Sequence, residues 1–232
     1  MTPDDATPCV NALDDLEKRL RAVVDRHMTA DPSHDIDHLA RVWRSARDIA
    51  ESLDEPPSPA ETRVDRAVLL AACYLHDLVN LPKDHPERHR ASRMAADAAR
   101  PVLGELGFDS QRLEAVCHAI EAHSFSAGLR PRTLEAAILQ DADRLEALGA
   151  IGLARLFHVA GQMGGRLFDP GDFHGRARPL DDRKFAIDHV RLKLHRLADS
   201  MNTARGRELA RARLAFVSTF VDRLEAEVVA AE

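Results

Sequence analysis

The stretch from Leu134 to Leu148, LEAAILQDADRLEAL, decides how this chain is read. Leu134, Ile138, Asp141, Leu145 and Leu148 follow one another at steps of four, three, four and three residues. That is the repeat of one helix face turned toward a core. A carboxylate on such a face is costly to bury unless it is paired or holds a metal ion.

Two other segments supply partners for it. Ser33-His34-Asp35-Ile36-Asp37-His38 opens one helix, and His38 stands one turn before the apolar Val42. The pair His76-Asp77 follows the apolar run Ala67 to Leu75. His38, His76, Asp77 and Asp141 together offer two imidazoles and two carboxylates from separate helices. That mixture suits one divalent ion among Mn, Fe, Ni, Zn and Mg. Four protein ligands leave about two octahedral positions for water and a substrate oxygen. Neighbouring residues leave a helix roughly 100° apart, so spacing makes His76-Asp77 a less obvious chelate than an i,i+4 pair. The periodicity puts Asp141 on the stripe and Asp143 off it. Asp141 is therefore the expected ligand and Asp143 the alternative. His34 is either an outer support of the site or a solvated surface residue.

The remaining periodic segments also read at 3.6 residues. Leu13, Leu16, Leu20, Val23 and Val24 mark a first helix, and Val42, Ala46, Ile49 and Leu53 a second. Asp31-Pro32 reads as the cap of that second helix. Ser58-Pro59-Ala60-Glu61 reads as a capping box opening the helix that carries His76-Asp77. Leu113, Val116, Cys117 and Ile120 mark a helix ending near His123. Two helices close the chain, one with Phe185, Val190, Leu194 and Leu197, the other starting near Asn202-Thr203 with Leu209, Phe216, Phe220 and Leu224. No strand pattern and no repeat stand out. The expected fold is all-α, a single domain over residues 1–232. Its main irregular segment is the Gly-rich loop 161–182, long enough to suggest a function.

Composition agrees. Of 232 residues, 45% are apolar and only 4% aromatic, a balance that favours helix over sheet. The net charge of −6, from 32 basic and 38 acidic side chains, argues against a non-specific nucleic-acid binder. The three cysteines form no CxxC pair, which fits reduced thiols in the cytoplasm. The N-terminus lacks the basic and apolar regions of a signal peptide. The run Ala67 to Leu75 is too short to span a bilayer, so no membrane association is expected.

The ordered set H…HD…D resembles the signature of the HD superfamily of metal-dependent phosphohydrolases. SHDIDHLARV contains His38, YLHDLVNLPK the HD pair, and ILQDADRLEALGAIGLAR the last Asp. AHSFSAG and LADSMNTARGRELARAR are similar to the small stand-alone bacterial proteins of the nucleotide pyrophosphohydrolase-like subgroup. Glu146 departs from that pattern, where a second Asp is expected. The resemblance implies an HD-type helical bundle, one divalent ion held by His38, His76, Asp77 and Asp141, and a small phosphorylated substrate, a nucleotide above all. The leading activity it implies is hydrolysis of a nucleoside triphosphate to monophosphate and pyrophosphate. The alternatives are a nucleoside monophosphate phosphatase, a cyclic-nucleotide phosphodiesterase and, in another class, a non-catalytic nucleotide sensor.

Asp77 and Lys83 are the expected catalytic residues. Lys83 follows the HD pair, and Arg41, Arg88 and Arg144 are the other cations near the motifs that are able to pair with phosphate oxygens. His123 is expected at the substrate, or with His118 at a second metal. In the loop, Phe168, Phe173, His174, Arg176 and Arg178 are candidates for contact with a base or phosphates, and the loop itself is a candidate substrate cover.

Overall fold

The computed structural model describes residues 7–27, 36–53, 63–81, 85–124 and 127–229. The expected caps at Asp31-Pro32 and Ser58-Pro59 lie outside these residues, as do His34 and Lys83. The described residues are helix and loop, with an isolated bridge between Arg166 and Phe185 and no strand. The fold is all-α, as expected. None of the described helices is long and apolar enough to cross a membrane. The chain packs as two compact units, Met1–Ala142 and Asp143–Glu232.

The first unit is built on α3, Arg66–Leu75. Its residues Val68 to Leu75 are all buried, as befits a helix apolar on every face. The helices α1 (Thr7–His27), α2 (Ile36–Leu53), α4 (Ala91–Glu105) and α5 (Ser110–His123) pack around it. Tyr74 is fully enclosed, and its hydroxyl donates to Glu17 of α1 at 2.6 Å. α3 opens at Arg66 rather than at the expected Ser58-Pro59, because Asp65 caps it. One carboxylate oxygen of Asp65 accepts the N–H groups of Ala67 and Val68 at 3.0 and 3.2 Å. The backbone of Asp65 donates to the buried Glu135 at 2.8 Å, which ties this cap to the helix of the opening stretch.

That helix is α6, Leu134–Leu145. Thr133 Oγ1 accepts the N–H of Ala136 at its start. Ile138, Asp141 and Leu145 are fully buried, but Leu134 is 37% exposed. Leu148 is buried beyond the helix end. There the bonds from Glu146, Ala147 and Leu148 N–H reach back only three residues and wind the backbone away from the stripe. The apolar face is therefore shorter than its spacing suggests.

In the second unit α7 (Gly149–Gln162) packs on α10 (Ala204–Val229). Between them α8 (Ala186–His189) runs through a π turn at Val190–Leu194 into α9 (His195–Asp199). Thr203 Oγ1 accepts the N–H of Gly206 near the start of α10, close to the expected boundary. Phe216, expected on the buried face of α10, is 50% exposed. Arg213 of α10 donates to the Leu145 carbonyl at 2.6 Å and lies 3.9 Å from the buried Glu146. Burial lowers the pKa of Arg213, and Glu146 acts against that. Gly149 has φ +71°, and a Cβ there would press on the Arg213 side chain at 3.3 Å.

The segment from Gly161 to Asp182 is fastened at several points. Arg166 bonds to Lys184 and Ala186. Arg178 grips the buried Asp188 with two bonds of 2.6 and 3.1 Å, reaches Asp169 at 3.0 Å and lies over the Phe185 ring. His174 meets Glu225 at 2.5 Å, and Arg191 closes on His174. The Phe168 and Phe173 rings pack on each other at a tilt of 51°, with centroids 5.4 Å apart. The loop side chains proposed for a base or phosphate are largely engaged with their own unit.

Candidate metal centre

Three helix ends of the first unit converge. His38 enters from the first turn of α2, with 1% exposure. His76 caps the C-terminus of α3, also at 1%, and Asp77 lies in the turn beyond it. His123 is the last residue of α5 and is buried. The HD pair was expected inside a helix; instead α3 stops at Leu75, and the turn closed by Leu78 N–H on the Leu75 carbonyl swings Asp77 back toward its neighbour.

The Asp77 carboxylate is the centre of the group. Its Oδ2 lies 3.4 Å from His76 Nε2 and 3.7 Å from His38 Nε2. Its Oδ1 lies 3.8 Å from His123 Nε2. The rings of His38 and His76 are 5.5 Å apart by their centroids, and those of His76 and His123 4.8 Å. The ligand atoms of His76, Asp77 and His123 lie within 4.8 Å of one another.

Two of the imidazoles have their tautomer set by backbone. His76 Nδ1 lies 2.9 Å from the Cys73 carbonyl, and His123 Nδ1 lies 2.6 Å from the Ile120 carbonyl. A carbonyl oxygen only accepts, so each Nδ1 carries the proton. In the neutral ring Nε2 then presents a lone pair toward a carboxylate oxygen. Two lone pairs facing each other repel, and a cation between them turns the repulsion into binding. A divalent ion about 2.1 Å from each donor would separate neighbouring donors by roughly 3–3.5 Å. The donor set fits such an ion, and the separations of 3.4, 3.7 and 3.8 Å about Asp77 lie close to that spacing.

Asp141 is fully enclosed on α6. Asp143, two residues further along, leaves the helix about 200° away and is half-buried. His123, expected at the substrate, lies in the group. His118 does not accompany it. Its Nε2 accepts the Arg132 N–H at 2.9 Å, and burial together with the Arg132 guanidinium holds its pKa low. Five residues along one helix turn the two rings roughly 140° apart.

Of the expected phosphate-binding cations, Arg41 is half-buried on α2. Arg88 donates to the Leu81 carbonyl and so fastens the strand of chain that follows Asp77. Arg144 donates to the carbonyl and hydroxyl of Ser200 at 2.7 and 3.2 Å, a structural engagement within the second unit. Sequence reasoning gave Gln140 no role. It is buried, and its Nε2 donates to the Ala122 carbonyl at 2.6 Å, beside His123. Its place one residue before the Asp141 stripe was the available signal.

The HD-domain family model matches residues 35–148, the segment that carries all of these residues. The uncharacterised protein YpgQ of Bacillus subtilis is 31% identical over 216 residues, which cover 91% of this chain and 93% of that protein. A crystal structure of YpgQ in complex with ADP is similar at a TM-score of 0.68 and 30% identity, over 92% of this chain and 95% of that one. An HD-superfamily hydrolase from Bacillus thuringiensis is similar at 0.64 and 28% identity, over 93% and 97%. With a histidine and an adjacent His-Asp pair gathered at the ends of α2 and α3 inside the matched segment, this chain belongs to the HD-domain family.

Proposed function

We propose that this protein is a metal-dependent phosphohydrolase acting on nucleotides, and that its leading reaction splits a nucleoside triphosphate into monophosphate and pyrophosphate. The observation that carries this reading is the Asp77 carboxylate set among the Nε2 atoms of His38, His76 and His123. The ADP bound to YpgQ supports a nucleotide as the ligand class.

His38, His76 and Asp77 would hold one divalent ion (Mn, Ni, Fe, Zn or Mg), with Asp141 of α6 as the further ligand. Bound there, the ion lowers the pKa of a water and polarises a phosphoryl oxygen. The chain's own groups do the rest. The Cys73 carbonyl holds the His76 ring in the tautomer that presents Nε2. Asp77 would orient the reacting water by accepting a hydrogen bond at its carboxylate, and His123, on the Oδ1 side, stands where its Nε2 would meet both the ion's surroundings and the substrate. Lys83, Arg41 and Arg88 are the cations assigned to substrate phosphate, and Arg144 supports the fold through Ser200. Cys73 and Cys117 are buried and in no disulfide, in keeping with a reducing cytoplasm.

The test is product analysis. Metal-loaded protein is incubated with a panel of nucleoside tri-, di- and monophosphates and cyclic nucleotides. Pyrophosphate released from triphosphates is the expected outcome. Orthophosphate from monophosphates alone identifies a phosphatase. Tight nucleotide binding with no turnover identifies a sensor.

A further inference from the structure

We propose that Gln140 is a positioning residue that sets the His123 imidazole against Asp77. This rests on the reading of the cluster as a metal and substrate site. The last carbonyls of a helix have no partner within it. At the end of α5 two of them are taken by side chains. The Ile120 carbonyl accepts from the ring of His123 itself, and the Ala122 carbonyl accepts from Gln140 Nε2 at 2.6 Å. Gln140 is 4% exposed and comes from α6, eighteen residues along the chain. Its bond lands on the peptide unit that joins Ala122 to His123. The carboxamide therefore fixes the backbone from which the ring projects. It also holds the end of α5 at a set distance from α6, the helix that carries both candidate carboxylates.

A hydrophobic side chain of similar length would fill the space but leave the Ala122 carbonyl unanswered. The helix end would then rotate toward another partner, and His123 Nε2 would leave its 3.8 Å station beside Asp77 Oδ1. Groups that orient ligands from behind carry about 10- to 100-fold in metal affinity or activity.

The experiment is a double-mutant cycle on metal affinity. Gln140→Met, Gln140→Leu, His123→Ala and the double variants are titrated with Mn in competition with a chromophoric chelator, and melting temperatures are measured without metal. We expect Gln140→Met to weaken Mn binding about tenfold and to add nothing in the His123→Ala background. Additive losses in the double variant would make the effect of Gln140 independent of His123 and overturn the proposal. So would unchanged affinity in both Gln140 variants, or failure of both to fold, which would make the residue a determinant of the fold. Wild-type protein that binds no Mn would instead sink the metal-centre reading itself, a result read before any variant is compared.

Discussion

Asp77 Oδ2 lies 3.4 Å from Nε2 of His76, its immediate neighbour in sequence. Two adjacent residues on a helix project about 100° apart, which makes so close an approach a feature of the local turn. α3 ends at Leu75, and the turn closed by Leu78 N–H on the Leu75 carbonyl carries both residues. Substituting Asp77 should therefore remove both the ligand and the group that opposes three imidazoles. Asp77→Ala should bind no metal above background and lose more than about a hundredfold in kcat, beyond the range for groups that only orient a ligand. Elemental analysis and steady-state kinetics on the same preparation check it.

Metal removal should lower stability. Wild-type protein should carry about one divalent ion per chain. A ligand at a hundredfold excess over its Kd stabilises the folded state by about 2.7 kcal/mol, or about 5–10 °C in melting temperature for a chain of this size. Thermal melts with and without EDTA give the answer. Coincident curves would mean that the cluster holds no ion in the folded protein.

The two α6 carboxylates should separate. Asp141 is fully enclosed on α6 and is the proposed fourth ligand, so Asp141→Asn should lose most of its ion, while Asp143→Asn should keep it. Loss of the ion from the Asp143 variant alone would move the ligand role away from the stripe position.

Lys83→Ala should raise KM severalfold for nucleotides of higher phosphate number, with metal content unchanged, because an ammonium acts on phosphate charge rather than on the ion. Kinetics across mono-, di- and triphosphates would show it. A uniform wild-type KM would place Lys83 outside the substrate site.

Cys117 should be inert at neutral pH. Burial pushes its thiol up to about 11, with Arg100 acting in the opposite sense. The folded state thus holds the proton that an unfolded chain releases near pH 9. The stability tied to the neutral thiol is fully present below that pH and is lost as pH rises toward 11. Alkylation followed by mass spectrometry at pH 8 should leave Cys117 unmodified in folded protein and modify it in urea. Labelling of the native protein at the denatured rate would contradict its burial.

Arg178→Ala should lower the melting temperature by several degrees, since the buried Asp188 would lose the guanidinium that bonds it twice. Arg183→Ala, at an exposed residue just after the loop, serves as the control and should melt like wild type. Equal melts for the two variants would mean that the loop is held by other contacts.

Helix content and family membership were legible in the chain itself. The 3.6-residue spacing of Leu20, Val23 and Val24, or of Val116, Cys117 and Ile120, depends only on local geometry, and each of these residues is buried. His38 and His76-Asp77 stood out for a similar local reason, because polar groups on apolar faces need a partner. Helix ends and long-range bonds were decided by tertiary structure. The stop of α3 at Leu75, the short-range bonds that turn the chain after Leu145, and the placement of His123 beside Asp77 all depend on residues far apart in sequence. Periodicity extended the α6 stripe to Leu148 because a repeat carries no record of where the backbone leaves the helix. It placed Asp141 on the buried face, where the side chain is fully enclosed, because a face pattern reports burial. The Gln140 bond to the Ala122 carbonyl had no pattern to announce it. A side chain that answers one orphan carbonyl on another helix is specified by the packing of α5 against α6, which only the folded chain supplies.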